Sequence, residues 1–402
     1  MNGPRLRLVA SLLIAACAVL TAACSHATTP SALPNTLAPE SSLQPNAGGF
    51  KVIYTFKTIP DAMSPAAGMI AVNGSLYGTS QVGGQGSAGT VFSSSLGGRE
   101  KVLHSFGGAS DGVFLFSGLT WLNGMFYGTT SSGGSGYGTV FKMDKSGNES
   151  VIYAFKGGND GAAPYTSLTA VKGVLYGTTS VGGGNNAYCS QGCGTVFSVT
   201  TKGKERVIYR FKSGTTDGFG PYGSLLALHG QLYGTTADGG ANAEGTIYTV
   251  SKAGIERVIY SFGTNLNDGS EPEAGLVAVG GKLYGTTNTG GAHFKGTVFV
   301  TTTAGSENVL YSFKGGGDGE SSEANLLYYK GMLYGTTTIG GTPNQGTVFK
   351  MTLSGGEHVL RALQGSDGSN PRAPLVAVNG MLYGTTSLGG KNSVGTIFRV
   401  SP

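Results

Sequence analysis

From residue 51 to residue 400 the apolar residues come in short runs, bounded by glycine and polar residues. One stretch serves as the model. Residues 275–279 (GLVAV), 282–287 (KLYGTT), 296–300 (GTVFV) and 307–313 (ENVLYSF) are rich in Val, Leu, Thr, Tyr and Phe, and each favours a strand. No helical period of useful length appears between or within such runs. Between the first and second runs stand pairs such as Asn73-Gly74, Asn123-Gly124, Gly280-Gly281 and Asn379-Gly380. These residues accept the positive φ angles of two-residue hairpins, so the two runs are antiparallel neighbours. Short glycine-bearing turns such as Ser146-Gly147 and Ala304-Gly305 join the third run to the fourth, and the unit is a four-stranded meander.

That unit comes round seven times. Its Tyr-Gly-Thr signal begins at Tyr77, Tyr127, Tyr176, Tyr233, Tyr284, Tyr334 and Tyr383, with separations of 50, 49, 57, 51, 50 and 49 residues. A period near 50 marks a repeat architecture. A meander of that size cannot bury enough apolar surface alone, whereas repeats arranged radially cover one another, so the fold expected is a seven-bladed, all-β propeller. Tight hairpins argue against a parallel β-helix. The repeat region opens on a fourth-run segment, residues 51–56 (KVIYTF), and closes on a third-run segment, 395–400 (GTIFRV). Residues 51–56 are therefore expected to complete the last blade and close the ring, leaving no open edge. The glycine inside each second run, Gly78 in the first repeat, is expected to admit the adjacent blade.

Composition narrows the class. Glycine is 72 of 402 residues and charged residues are 12%, which suits turns and packed strands and excludes a charged, disordered chain. Residues 50–402 then form one unit. Ahead of it, Arg5 and Arg7 precede an apolar run and Thr21-Ala22-Ala23-Cys24, the pattern of a signal peptide over residues 1–23. Cys24 after two alanines suits a lipobox and hence lipidation, although Thr21 stands where an apolar residue is usual. Leu13-Ile14-Ala15-Ala16-Cys17 fits that rule better but leaves a short apolar core, and secretion without lipid is the alternative. Residues 24–49 read as a Ser/Thr/Pro-rich flexible tether. No later run is long enough for a spanning helix, so membrane attachment is expected through the lipid alone. Without Arg5 and Arg7 the chain has 24 basic and 21 acidic residues, a charge of +3, and no basic run that would suit nucleic acid. Cys189 and Cys193 fall in an insertion of the third repeat, and in an exported protein they read as a local disulfide.

Candidate chemistry lies on the face that carries the fourth-to-first and second-to-third connections, where the loops are longest and most varied. A repeated Asp stands there: Asp61, Asp111, Asp160, Asp217, Asp268, Asp318 and Asp367. Sevenfold recurrence favours a structural turn, in which each carboxylate caps its own backbone, over a ligand ring. Asymmetry is more informative. Blades 4 to 6 add Asp238, Glu244, Glu271, Glu273, Glu320 and Glu323. Glu271, Glu273, Glu320 and Glu323 are the candidates for acid and base on a glycosidic bond, against solvated loop carboxylates as the plain alternative. Asp238, Glu244, Asp268 and Asp318, with Tyr165, Tyr222 and Phe294, are the candidates for binding a ligand. Phe114, Phe116, Tyr137, Tyr188 and Phe219 share the face, and such rings either stack on sugar or peptide or pack between loops. No cofactor is expected, and calcium is the one ion these acidic loops would suit. The histidines show no metal-ligand spacing. The GxGxxG at residues 84–89 precedes a strand where a dinucleotide site needs a helix, no GxSxG elbow occurs, and the recurrent Thr-Thr reads as a strand end.

The unit LYGTT..GG....GTVF....G.E.VLYSF..G.DG resembles the bacterial GloVer, or choice-of-anchor, tandem-repeat family over about residues 50–402. Its strand plan also resembles quinoprotein-like propellers, without evident quinone ligands. The family resemblance implies an envelope or extracellular location, with Cys24 as the anchor, and supplies no catalytic residues. Two places depart from the unit: Ile59-Pro60-Asp61-Ala62 lacks the Asp-Gly pair, and Leu360-Arg361-Ala362-Leu363 lacks the Tyr and Phe of the fourth run. The expected function is a monomeric binding scaffold, exported and lipid-anchored, that presents its loop-rich face to a glycan, peptide or envelope protein. An envelope carbohydrate-active enzyme is the alternative, and a purely structural envelope component a third.

Overall fold

The computed structural model describes residues 49–108, 110–185 and 187–402. The expected signal segment, most of the expected tether and Cys24 lie outside the described residues. Seven four-stranded antiparallel sheets form a β-propeller, with no helix among the described residues. Blade 1 runs outward from the axis as Ile70–Val72, Ser75–Ser80, Thr90–Ser95 and Glu100–Ser105. The innermost strands are three residues long, and those of successive blades lie beside one another. Blade 7 comprises Val376–Val378, Met381–Thr386 and Thr396–Val400, and its outermost strand is Lys51–Thr55, which pairs antiparallel with Thr396–Val400.

The core lies between the blades and is divided into seven clusters, each formed from the facing surfaces of two neighbours. At its centre the Phe that ends one outermost strand meets an aromatic ring on the third strand of the next blade. Phe56–Phe92, Phe155–Phe197 and Phe262–Phe299 have centroids 5.0 to 5.2 Å apart in edge-to-face geometry. Each ring fully removed from water contributes about 2 kcal/mol of transfer free energy. The glycine of each Tyr-Gly-Thr answers to a contact different from the one expected. A Cβ on Gly78 would lie 2.6 Å from Phe92 Cζ and 3.1 Å from Met69, both in its own blade. The residue makes room for its cross-strand aromatic partner, and the adjacent blade does not set the limit.

Backbone hydrogen bonds stitch the blades along the loop-rich face. One residue per blade, Ser64, Phe114, Ala163, Gly220, Glu271, Ser321 and Asn370, has φ between 52° and 65°. For the six that are not glycine this left-handed conformation costs about 1 kcal/mol each. In return each N–H donates to a carbonyl in the second-to-third loop of the preceding blade, at 2.8 to 3.2 Å, and each carbonyl accepts from its own blade. In blade 3 that loop is the longest of the seven. Cys189 and Cys193 form a disulfide within it (Cα–Cα 5.3 Å), and the stitch carbonyl is that of Cys193 itself. The two Thr residues after Tyr-Gly are also structural. The first reaches the next blade, as Thr129 Oγ1 does to the Pro164 carbonyl, and the second pairs with a third-strand Thr, as Thr236 does with Thr246 at 2.7 Å.

The outer edge of each seam carries a second repeated set. At five seams a fourth-strand Tyr donates to the repeated Asp at 2.6 to 2.8 Å: Tyr54–Asp61, Tyr153–Asp160, Tyr209–Asp217, Tyr260–Asp268 and Tyr311–Asp318. The same carboxylates accept backbone N–H bonds within their turns, from Lys57 and Ala62 to Asp61 and from Lys212 and Gly218 to Asp217. The structural turn therefore accounts for the Asp, and Ala62 serves in blade 1 where Gly serves elsewhere. From the next blade the first Glu of the outermost strand joins each pair. Burial first, and the Asp beside it second, push these carboxyls up: Glu100 to about 8, and Glu205, Glu256, Glu307 and Glu357 to about 7. One oxygen of each, Oε1, is buried without a hydrogen-bond partner.

The seam between blades 6 and 7 explains the departure at Arg361. Blade 7 takes its outermost strand from the N-terminal side, where Phe50 stands in the place of the Glu. Arg361 replaces the Tyr, forms an ion pair with Asp367, and lies over the Phe50 ring at 4.9 Å. Leu363, fully buried, fills the position of the Phe.

Two outcomes follow for stability. A carboxyl whose folded pKa is raised stabilises the fold below its ordinary range near 4.5 and loses that contribution as pH rises through 7 to 8. The melting temperature is expected to fall between about pH 5 and about pH 9, and replacing Glu205, Glu256, Glu307 and Glu357 together by Gln flattens the profile. A wild-type profile that is flat or rising over that range contradicts this account. Arg361→Ala leaves the buried Asp367 carboxylate without its cation, and a loss of about 3 kcal/mol is expected in denaturant titrations. Arg361→Tyr, whose phenol can donate to Asp367 as at the five Tyr seams, is expected to restore part of that loss.

Candidate functional site at the mouth of the ring

After each repeated Asp the chain passes the stitch residue, enters a buried position and exposes one side chain to the axis before the innermost strand begins. That side chain is the fifth residue after the Asp in every repeat: Ala66, Phe116, Tyr165, Tyr222, Glu273, Glu323 and Arg372. Its neighbours on both sides are buried in all seven blades, as with Pro164 and Thr166 around Tyr165. An extended backbone held on both sides projects the middle residue outward. All seven line one opening of about 430 Å³ at the axis.

The wall is divided. Three aromatic residues from successive blades form one arc, with Phe116–Tyr165 centroids 4.8 Å apart and Tyr165–Tyr222 centroids 5.9 Å apart, both edge to face. The next three blades supply Glu273, Glu323 and Arg372, and Arg372 Nε lies 3.5 Å from Glu323 Oε2. Ala66 leaves the seventh place low. Burial, followed by the charges of Glu323 and Glu271, pushes the Glu273 carboxyl up to about 7, against a smaller opposing effect of Arg372. Burial also raises Glu323, while Arg372 and Thr338 favour its charged form. The Tyr222 hydroxyl is raised to about 12 by burial and by the charges near it. One carboxyl thus holds a proton near neutrality beside another that is paired with a cation.

The other expected residues are dispersed. Asp238 stands near Tyr222 at the edge of the opening, and burial with Glu271 and Glu244 raises its carboxyl to about 6. Glu271 is the stitch residue of its blade. Glu320 pairs with Lys295 at 2.6 Å and does not line the opening. Asp268 and Asp318 spend their carboxylates on Tyr260, Tyr311 and their own turns. Phe294 projects into solvent, 81% exposed, away from the mouth, and Phe114, Tyr137 and Tyr188 are likewise exposed outside it. Arg372 was absent from the expectations. The signal for it was the fixed offset from the Asp, since a column read across the repeats sets this varied position between one that is mostly Pro and one that is always small.

The family model described as the Gloeobacter/Verrucomicrobia repeat matches residues 28–188 and again 186–398. No curated protein matches the sequence. Among solved structures the chain is similar to a gluconolactonase of Xanthomonas campestris, with 15% identity, a TM-score of 0.42, and coverage of 69% of this chain and 84% of that one. It is also similar to PorZ, a surface component of the type-IX secretion system of Porphyromonas gingivalis, with 13% identity, a TM-score of 0.48, and coverage of 84% of this chain and 46% of that one.

The charged arc makes a titration prediction. Carboxyl signals of labelled glutamate followed by NMR are expected to place Glu273 near pH 7 in the wild type. Glu323→Gln lowers that midpoint by removing a negative neighbour, and Arg372→Met raises it by removing the positive one. Opposite shifts would mean that these three groups do not share the opening.

Proposed function

This chain belongs to the Gloeobacter/Verrucomicrobia repeat family, and on that premise we propose that it is an exported binding module whose ring mouth takes a glycan. The observation that carries the reading is the division of one repeat position into an aromatic arc and a charged arc around a single opening. Aromatic faces suit the apolar faces of sugar rings. A protonated carboxyl, a carboxylate and a guanidinium together offer donors and acceptors to hydroxyl groups at several angles. The balance of apolar wall and a few convergent polar groups is that of a ligand site. The signal segment and Cys24 place the module, in this reading, on the cell envelope through a lipid, with residues 24–49 as its tether. A calcium ion enters the reading as a bridge between the acidic loops and the ligand hydroxyls.

Glu273 and Glu323 support a second reading. Two neighbouring carboxyls, one raised to about 7 and one paired with Arg372, are the arrangement that divides acid from base in glycoside hydrolysis. In this form the alternative rests on two of the four glutamates first considered.

The test is a glycan and polysaccharide array probed with residues 45–402, with and without calcium, scoring retention and cleavage separately. Retention is expected, and Tyr165→Ala or Tyr222→Ala weakens it about three- to tenfold, the value of one aromatic contact. Under the binding reading Glu273→Gln and Glu323→Gln keep most of the retention; under the enzyme reading each abolishes product release from a cleaved glycan. Retention that both Tyr variants leave untouched moves the site away from the mouth, and silence across the array overturns a glycan ligand.

A further inference from the structure

The seam between blades 1 and 2 carries the repeated set in altered form. Its Asp and Glu, Asp111 and Glu149, are those of the other seams, but His104 occupies the position of the Tyr. The change is not a simple exchange of donors. Where Tyr meets Asp the oxygens are 2.6 to 2.8 Å apart, whereas His104 Nε2 and Asp111 Oδ2 are 3.4 Å apart. That separation exceeds the usual 2.7 to about 3.2 Å of an N–H···O bond. It equals the edge of a tetrahedron around zinc, where ligands at about 2.1 Å from the ion stand about 3.4 Å from one another. The ligand atoms of His104, Asp111 and Glu149 all lie within 4.8 Å of one another. Glu149 Oε1 is buried with no hydrogen-bond partner, as is the same atom at the five Tyr seams, and what sets this seam apart is that an imidazole nitrogen joins the two carboxylates beside it.

We propose that His104 Nε2, Asp111 Oδ2 and the Glu149 carboxylate bind one divalent ion of the zinc type at the blade 1–blade 2 seam. One nitrogen and two oxygens are a ligand set that such an ion accepts. The ion supplies the unpartnered Glu149 oxygen with a positive partner and neutralises two carboxylates held close together. The side chains of His104 and Asp111 are 23% and 19% exposed, so water reaches the site and completes the coordination. No other seam offers this set among the described residues, because a phenol or a guanidinium stands where the imidazole does. The site lies at the outer edge of the ring and is separate from the mouth.

Isothermal titration of the chelator-treated full chain with zinc chloride tests the assignment, with cobalt(II) as a second probe read by the visible absorption of a tetrahedral ion. One ion per chain is expected, with a rise in melting temperature on loading. His104→Tyr converts the seam to the form that five others carry, and so preserves the fold; it is expected to lower the affinity by at least about tenfold and to abolish the cobalt bands. Glu149→Gln, which keeps the shape and removes the charge, is expected to weaken binding as well. His229→Ala, at a hairpin turn on the opposite face, leaves binding unchanged. Absence of stoichiometric binding in the wild type overturns the proposal, and so does zinc binding that both His104→Tyr and Glu149→Gln retain.

Discussion

Each blade of this ring buries its apolar surface only against another blade. A three-residue innermost strand and three longer ones make a sheet with two faces to cover and no core of its own, and the hydrophobic effect therefore acts at the seams. This one constraint determines which features recur. The ring that ends an outermost strand must meet an aromatic ring in the next blade, and a cross-strand glycine must make room for it. The stitch residue must accept a left-handed backbone so that its N–H can cross to the preceding blade, and the bond it makes there replaces water that the neighbouring loop excludes. Even the disulfide belongs to this scheme, since it closes the extra length of the blade 3 loop at the residue whose carbonyl the stitch needs.

Constancy at the seams is also what frees one position. The fifth residue after each Asp lies between two buried neighbours, so its backbone direction is fixed seven times over while its side chain meets only the opening. Nothing in the packing demands an aromatic residue at Phe116 or a carboxylate at Glu273. A position whose two neighbours are buried in every blade while its own side chain faces the opening is where a repeat protein can build an asymmetric site from a symmetric frame. Here three adjacent blades carry rings and the next three carry charges, so one side of the opening is apolar and the other polar.

The fold was legible because periodicity and turn chemistry are local: Asn-Gly pairs, alternate apolar residues and a fixed spacing all act within a few residues of one another. The site was only partly legible. Glu273, Glu323, Tyr165 and Tyr222 stood out by type, but so did Glu320 and Phe294, which the fold sends to Lys295 and to solvent. Residue type does not say which loop residues converge on an axis. Asp268 and Asp318 were singled out for their charge, yet the geometry that decides their role is the phenol of the preceding strand, a partner eight or seven residues away across a turn. Glu100 and its counterparts drew no notice, because their burial depends on the lean of one blade over the outermost strand of another.

The two seams that break the pattern differ in what changed with them. At blade 6 the Tyr became Arg361 and the Glu opposite became Phe50, so both partners of the Asp changed together: the guanidinium pairs with the carboxylate on one side and lies over the ring on the other. That set is closed. Every charge has an opposite, and the apolar ring removes the need for a shared proton. At blade 1 the Tyr became His104 while Asp111 and Glu149 stayed as they are elsewhere. An imidazole donates one hydrogen bond when neutral, and at 3.4 Å it makes a poor one. Glu149 Oε1 is as unpartnered as its counterparts at the Tyr seams, but an imidazole nitrogen stands here in place of the phenol, and three ligand atoms of that kind held together are a reason to look for an ion that binds them all.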